Sequence, residues 1–164
     1  MTKLLPVLML SAFGAMLLAQ DVASHNIKEG LWSQHLQFTE NPGNTKRETT
    51  QTVCRTHAYD IWSRDRSKKR AGCKVISENS TAASYTIEME CTVQGSVIKS
   101  KTVATFSGDT AVHSESHSTQ TPPLMGIAES TAISDDKYVG PCPAGAQPGD
   151  ITMENGAKIN TYKK

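Results

Sequence analysis

In the stretch Tyr85-Thr86-Ile87-Glu88-Met89-Glu90-Cys91-Thr92-Val93, apolar and polar residues alternate without a break. Tyr85, Ile87, Met89, Cys91 and Val93 fall on one side of an extended chain, and Thr86, Glu88, Glu90 and Thr92 on the other. A period of two is the pattern of a half-buried antiparallel strand. Turn signals bracket it, Glu78-Asn79-Ser80 before and Gln94-Gly95 after.

The same grammar runs outward in both directions. In Gly30 to Thr39, Trp32, Leu36 and Phe38 share a face, with Gln34 as a polar exception. Further strands are expected over Lys46 to Cys54, Lys74 to Ser77, Val97 to Phe106, Thr110 to Gln120 and Ile127 to Val139. Asn41-Pro42-Gly43-Asn44 and Ser107-Gly108-Asp109 carry turn chemistry between them. Regular strands at this spacing predict a mainly β fold, an antiparallel meander forming a curled sheet or partly open barrel, with a two-layer sandwich as the alternative. One short helix is expected over about His57 to Arg66. Thr56 can cap it, and Ala58, Ile61 and Trp62 make one helical stripe. It is expected to lie across an open end or face of the sheet, with Trp62 covering core. Past Cys142, a linker-like run from Pro143 to Gly149 leads to Asn155-Gly156, a hairpin signal between Ile151 to Glu154 and Ala157 to Asn160. So short a hairpin must dock or fray.

The N-terminus reads as an export signal. Lys3 precedes an apolar run from Leu4 to Ala19, shorter than the roughly 20 residues of a spanning helix. The other reading is an uncleaved anchor. Small residues fit cleavage after Ala19 or after Ser24. The expected division is therefore a signal peptide over 1–24, a β-rich domain over 25–142 and a linker with a short hairpin or tail over 143–164. The mature chain of about 140 residues is the size of one domain. It is only about one-third apolar, lean for a globular core, so covalent staples matter more. An exported chain meets an oxidising compartment, where Cys54, Cys73, Cys91 and Cys142 are read as disulfides. Three connectivities are possible; Cys54–Cys73 with Cys91–Cys142 is the favoured pair. No Cys-x-x-Cys occurs, which argues against a zinc site or a thioredoxin-like role.

Two sets of motifs carry a resemblance. One is Lys28-Glu29-Gly30-Leu31-Trp32, Cys54 before the helix, and Gly72-Cys73-Lys74-Val75. The other is Tyr138-Val139-Gly140-Pro141-Cys142-Pro143-Ala144, Pro148-Gly149-Asp150 and Gly156 to Asn160. Together they resemble the exported Gram-negative bacterial family catalogued as domain of unknown function 3617, over roughly residues 28–160. The resemblance implies a periplasmic location and paired cysteines, and no activity. Where family members often carry basic residues before the final Gly-x-Cys, this chain has Asp135-Asp136-Lys137-Tyr138. Gly30-x-Trp32 opening a first strand is also similar to lipocalin-like proteins, whose barrels hold small apolar ligands.

Candidate chemistry is sparse. The net charge of +1 implies no polyelectrolyte partner and no nucleic acid. No nucleophile elbow, phosphate-cradling glycine loop or convincing acid pair occurs, so an enzyme is not expected, nor a cofactor. Trp32, Leu36, Phe38, Trp62 and Met89 are candidates for the lining of a ligand cavity, or simply core. His113, Glu115 and His117 alternate along one strand and point to one side, a possible zinc or copper set or else a solvated face. Arg64, Arg66, Lys68, Lys69, Arg70 and Lys74 gather around and after the helix C-terminus. There they suit the macrodipole, or an anionic envelope surface. The expected function is a non-enzymatic periplasmic or secreted domain that binds a small apolar ligand or serves as an envelope accessory protein, with such a ligand or an envelope protein as partner. Metal binding by the His113 strand is the alternative.

Overall fold

The computed structural model describes residues 25–162, so the expected signal peptide lies outside the described residues. The chain runs β1 (Gly30–Asn41), β2 (Thr45–Arg55), α1 (His57–Lys68), β3 (Cys73–Ser80), β4 (Ser84–Val93), β5 (Ser96–Ser107), β6 (Ala111–Leu124), β7 (Ile127–Gly140), β8 (Asp150–Met153) and β9 (Lys158–Asn160). All nine strands form one open antiparallel sheet in the order β3-β4-β5-β6-β7-β1-β2-β8-β9. The strands β3 and β9 are its two edges, so the closed barrel of the lipocalin comparison is not formed. The C-terminal hairpin docks: Val53 of β2 pairs with Ile151 of β8 and extends the sheet by two short strands.

Turn chemistry fixes the meander. Gln94 and Gly95 both have positive φ, 50° and 82°. A two-residue turn of that kind twists with its strands, and Val93 faces Ser96 across it. Register then carries the β4 alternation across the sheet. Tyr85 pairs with Ala104, Ile87 with Thr102 and Met89 with Ser100. Thr102 continues to Ser116, and Ala104 to Ser114. On the other side Trp32 lies opposite Val53 and Tyr138. One inner face therefore holds Trp32, Val53, Tyr138, Phe106, Ile87 and Met89, while His113, Glu115, Lys101 and Glu88 belong to the outer face.

The core sits at one end of that inner face. Ile27, Trp32 and Val53 are buried, with Tyr59, Phe106, Val112, Tyr138 and Ile151 packed around them. Trp32 is fully enclosed, and its indole Nε1 donates to the Lys28 carbonyl at 2.9 Å. The glycine of Gly30-x-Trp32 has a close-approach role. At φ 145°, a Cβ on Gly30 would collide with the Gly140 carbonyl oxygen and the Tyr138 ring. Trp32 can enter the core only because β1 lies that close to the end of β7.

Thr56 caps α1 as its sequence suggested, its hydroxyl accepting from the Tyr59 amide at 3.2 Å. The helix connects β2 to β3, two strands far apart in the sheet order. It thus crosses the inner face rather than closing a local loop, and that corrects the favoured cysteine pairing. Cys54 bonds Cys142 and Cys73 bonds Cys91. Cys73 and Cys91 are direct cross-strand partners of β3 and β4. Cys54 and Cys142 meet because β1 is sandwiched between β2 and β7, Leu31 facing both Cys54 and Gly140.

Candidate functional site

No residue of α1 is fully buried, although Tyr59 packs on the core. A cavity of about 520 Å³ lies between the helix and the sheet. Tyr85, Ile87, Met89, Thr102 and Phe106 of β4 and β5 form its floor. Asp60, Ile61, Arg64 and their neighbours on α1 form its roof. The segment from His25 to Ile27 closes one end. That segment is held by the His57 Nε2 contact to the Ile27 carbonyl at 2.8 Å. The Lys28 amide also donates to the Asp109 carbonyl at 2.8 Å. His25 stacks flat on Phe106, ring centroids 3.7 Å apart, and its Nε2 lies 2.7 Å from the Thr81 carbonyl oxygen.

A polar chain separates the cavity from the packed core. The Arg55 guanidinium donates to Asp60 at 2.8 Å and to Asp136 at 3.1 Å, and stands over the Trp32 ring at 4.9 Å. Asp136 is only 8% exposed, and also accepts from Gln34 at 2.9 Å and from Ser134. Gln51 in turn donates to Gln34 at 3.0 Å. Gln34, the polar exception of β1, thus faces inward because a buried carboxylate is there to receive it. Burial pushes the Asp60 carboxyl above its ordinary value, and the Arg55 charge only partly offsets this. At the other end of the floor, the Tyr85 hydroxyl donates to Glu78 at 2.9 Å, and Lys68 pairs with Glu78 at 3.1 Å. Burial, then the Glu78 bond, raises the Tyr85 pKa, so its phenol stays protonated.

The expected lining residues divide. Met89 does line the cavity. Trp32 is enclosed in the core, and Leu36 and Phe38 lie farther along β1, outside the cavity. Trp62 is not among the cavity's lining residues and packs on Tyr162, ring centroids 5.2 Å apart, and on Tyr59 at 6.0 Å. Ile61 takes the inward place instead. His25, Arg55 and Asp60 lie at the cavity although sequence reasoning assigned them no role there. Arg55 and Asp60, five residues apart across the helix start, were the available signal.

His113 and Glu115 do meet on the outer face, in a hydrogen-bonded network with Asp135. His113 Nδ1 lies 2.7 Å from Asp135 and Nε2 lies 3.2 Å from Glu115. The Asp135 bond, then the Glu115 bond, raises the His113 pKa. That favours the imidazolium, whereas a metal needs the neutral ring. His117 stands two residues further along the same face, in a shallow depression with Glu88, Lys99 and Lys101. Among the described residues no group of three or more His, Cys, Asp or Glu is arranged to hold a metal ion. The cations around the helix are largely engaged. Lys69 reaches Asp65 at 3.4 Å, Lys74 reaches Glu90 at 2.7 Å, and Arg66 stands over Trp62 at 5.1 Å. The Glu90 carboxyl is held below its usual range by the Lys74 bond.

Among the described residues no helix is long and apolar enough to cross a membrane. No curated protein matches the sequence. The model of one protein family does match, over residues 27–142, which takes in β1 to β7, both disulfides and the cavity floor. The chain belongs to that family, the proteins of unknown function DUF3617.

Proposed function

We propose that this chain is a non-enzymatic, exported domain, periplasmic or secreted, that holds a small apolar ligand between α1 and the inner face of β4 and β5. The observation that carries the reading is a half-open cavity of about 520 Å³ whose floor is apolar in a chain that is lean in apolar residues. Ligand sites commonly fall at roughly 300–1,000 Å³, mostly apolar with a few placed polar groups. Ile61, 47% exposed on the roof of an apolar space, is left for something else to cover. The two disulfides and the apolar N-terminal run support export.

A neutral fluorescent dye such as N-phenyl-1-naphthylamine tests the site. Dye emission is expected to rise with the wild-type protein. Ile61→Trp, placed on the roof where the residue is 47% exposed, intrudes on the space over the β4 floor without disturbing the core and is expected to weaken the rise at unchanged melting temperature. An equal rise in wild type and I61W would remove the cavity from consideration.

A further inference from the structure

We infer that the ligand is a long-chain carboxylate, its head held by Arg64 and its alkyl chain laid along the inner face of β4. The inference rests on the cavity being the binding site. Its own support is the distribution of charge. At the Arg55 end two carboxylates, Asp60 and Asp136, already share one guanidinium, so a further anion is repelled there. At the Tyr85 end the balance is reversed. Arg64 lines the cavity with its guanidinium over the Tyr85 ring at 5.8 Å, and among the described residues no carboxylate pairs with it. The neighbouring acids are taken: Glu78 by Lys68 and the Tyr85 hydroxyl, Asp65 by Lys68 and Lys69.

A cation in the wall of a largely apolar cavity lacks full hydration, and its donor fork matches a carboxylate edge on. From Tyr85 the inner face of β4 runs on through Ile87 to Met89, an apolar track of about 13 Å at the rise of a strand. Ile61 covers that track from α1. A neutral alkyl ligand would leave Arg64 without a partner, and an alkylammonium would be drawn to the wrong end.

Displacement of the neutral dye by dodecanoate, dodecanol and dodecyltrimethylammonium tests this in wild type, R64Q, R64K and R66Q. Dodecanoate is expected to bind tightest to wild type. R64Q is expected to weaken it roughly tenfold, the effect of losing one charge-assisted bond, and to leave dodecanol nearly unchanged. R64K keeps the charge and retains much of the preference. R66Q, on the far side of the helix against Trp62, changes neither. Dodecanoate binding no better than dodecanol, equal loss of every ligand in R64Q, or tightest binding of the ammonium would overturn the assignment while dye uptake still supported the cavity. Failure of the dye and all three ligands to bind would overturn both.

Discussion

The inner face of the sheet is filled at the Trp32 end and left open at the Met89 end. Both ends are built on the same alternation and the same antiparallel pairing. At the first, Ile27, Val53, Tyr138 and Ile151 meet around one enclosed indole, and the chain brings two outside segments in to cover it. At the second, Ile87 and Met89 lie under a helix that has no fully buried residue, and a cavity stands between them. The two ends are divided by Arg55, which lays one side on Trp32 and turns its donors to Asp60 and Asp136. The buried cluster lies on one side of that residue, and the cavity lies on the other.

Truncations at the two ends make the sharpest test of this division. Trp32→Ala is expected to cost roughly 3–5 kcal/mol in urea unfolding, as a large core deletion does, and Met89→Ala only about 1–2 kcal/mol. Equal costs would mean that the open end is packed in solution. The disulfides offer a second contrast. Cys54–Cys142 spans 88 residues and Cys73–Cys91 spans 18. Chain entropy gives about 4.6 and about 3.2 kcal/mol for loops of these lengths. Replacing the first pair by serine is therefore expected to lower the urea midpoint more than replacing the second. The reverse order would place the main constraint at the β3 edge.

Asp60 supplies the smallest effect. Its folded pKa stands above its ordinary 3.8, so the folded chain binds this proton more tightly than the unfolded chain. Its contribution to stability is then most favourable in acid and declines as pH rises from the unfolded value through the folded one. Asp60→Asn is expected to flatten that part of the pH–stability profile. A profile with the same slope in D60N would assign it to other acids.

Much of the fold could be read locally. The strand limits over Gly30 to Thr39, Tyr85 to Val93 and Ile127 to Val139 stand within about two residues of those observed, because side-chain period and turn residues are properties of neighbours in the chain. The helix cap at Thr56 was legible for the same reason. Partnership between distant elements was not. Nothing near Cys54 states that the following helix crosses to the far edge of the sheet or that β1 lies between β2 and β7, and the cysteine pairing follows from both. The cavity was only partly legible. Bulk and aromaticity mark Trp32 and Trp62 as cavity lining or core; Trp32 lies in the core and Trp62 packs on Tyr162 and Tyr59. Met89 was found because its strand alternates. Asp136 was noted only as a departure from the family pattern. Its place two residues before Tyr138, on the Trp32 side of the sheet, was the signal that it faces inward.

The order of the strands has a consequence for how the chain is assembled. From β3 to β7 every pairing joins successive strands across a turn, so these contacts need little loop closure. The β1–β7 pairing joins Leu31 to Gly140, and the whole meander must be enclosed before it forms. Contacts of that span are costly in chain entropy and slow to be made. The bond between Cys54 and Cys142 ties β2 to the chain just past β7, on either side of β1 at this seam. Once oxidised, the chain no longer has to find its longest-range pairing from a free start each time it opens. Reductant is therefore expected to act first on the rate of refolding, and the Cys54–Cys142 bond on how soon the two halves of the sheet are joined.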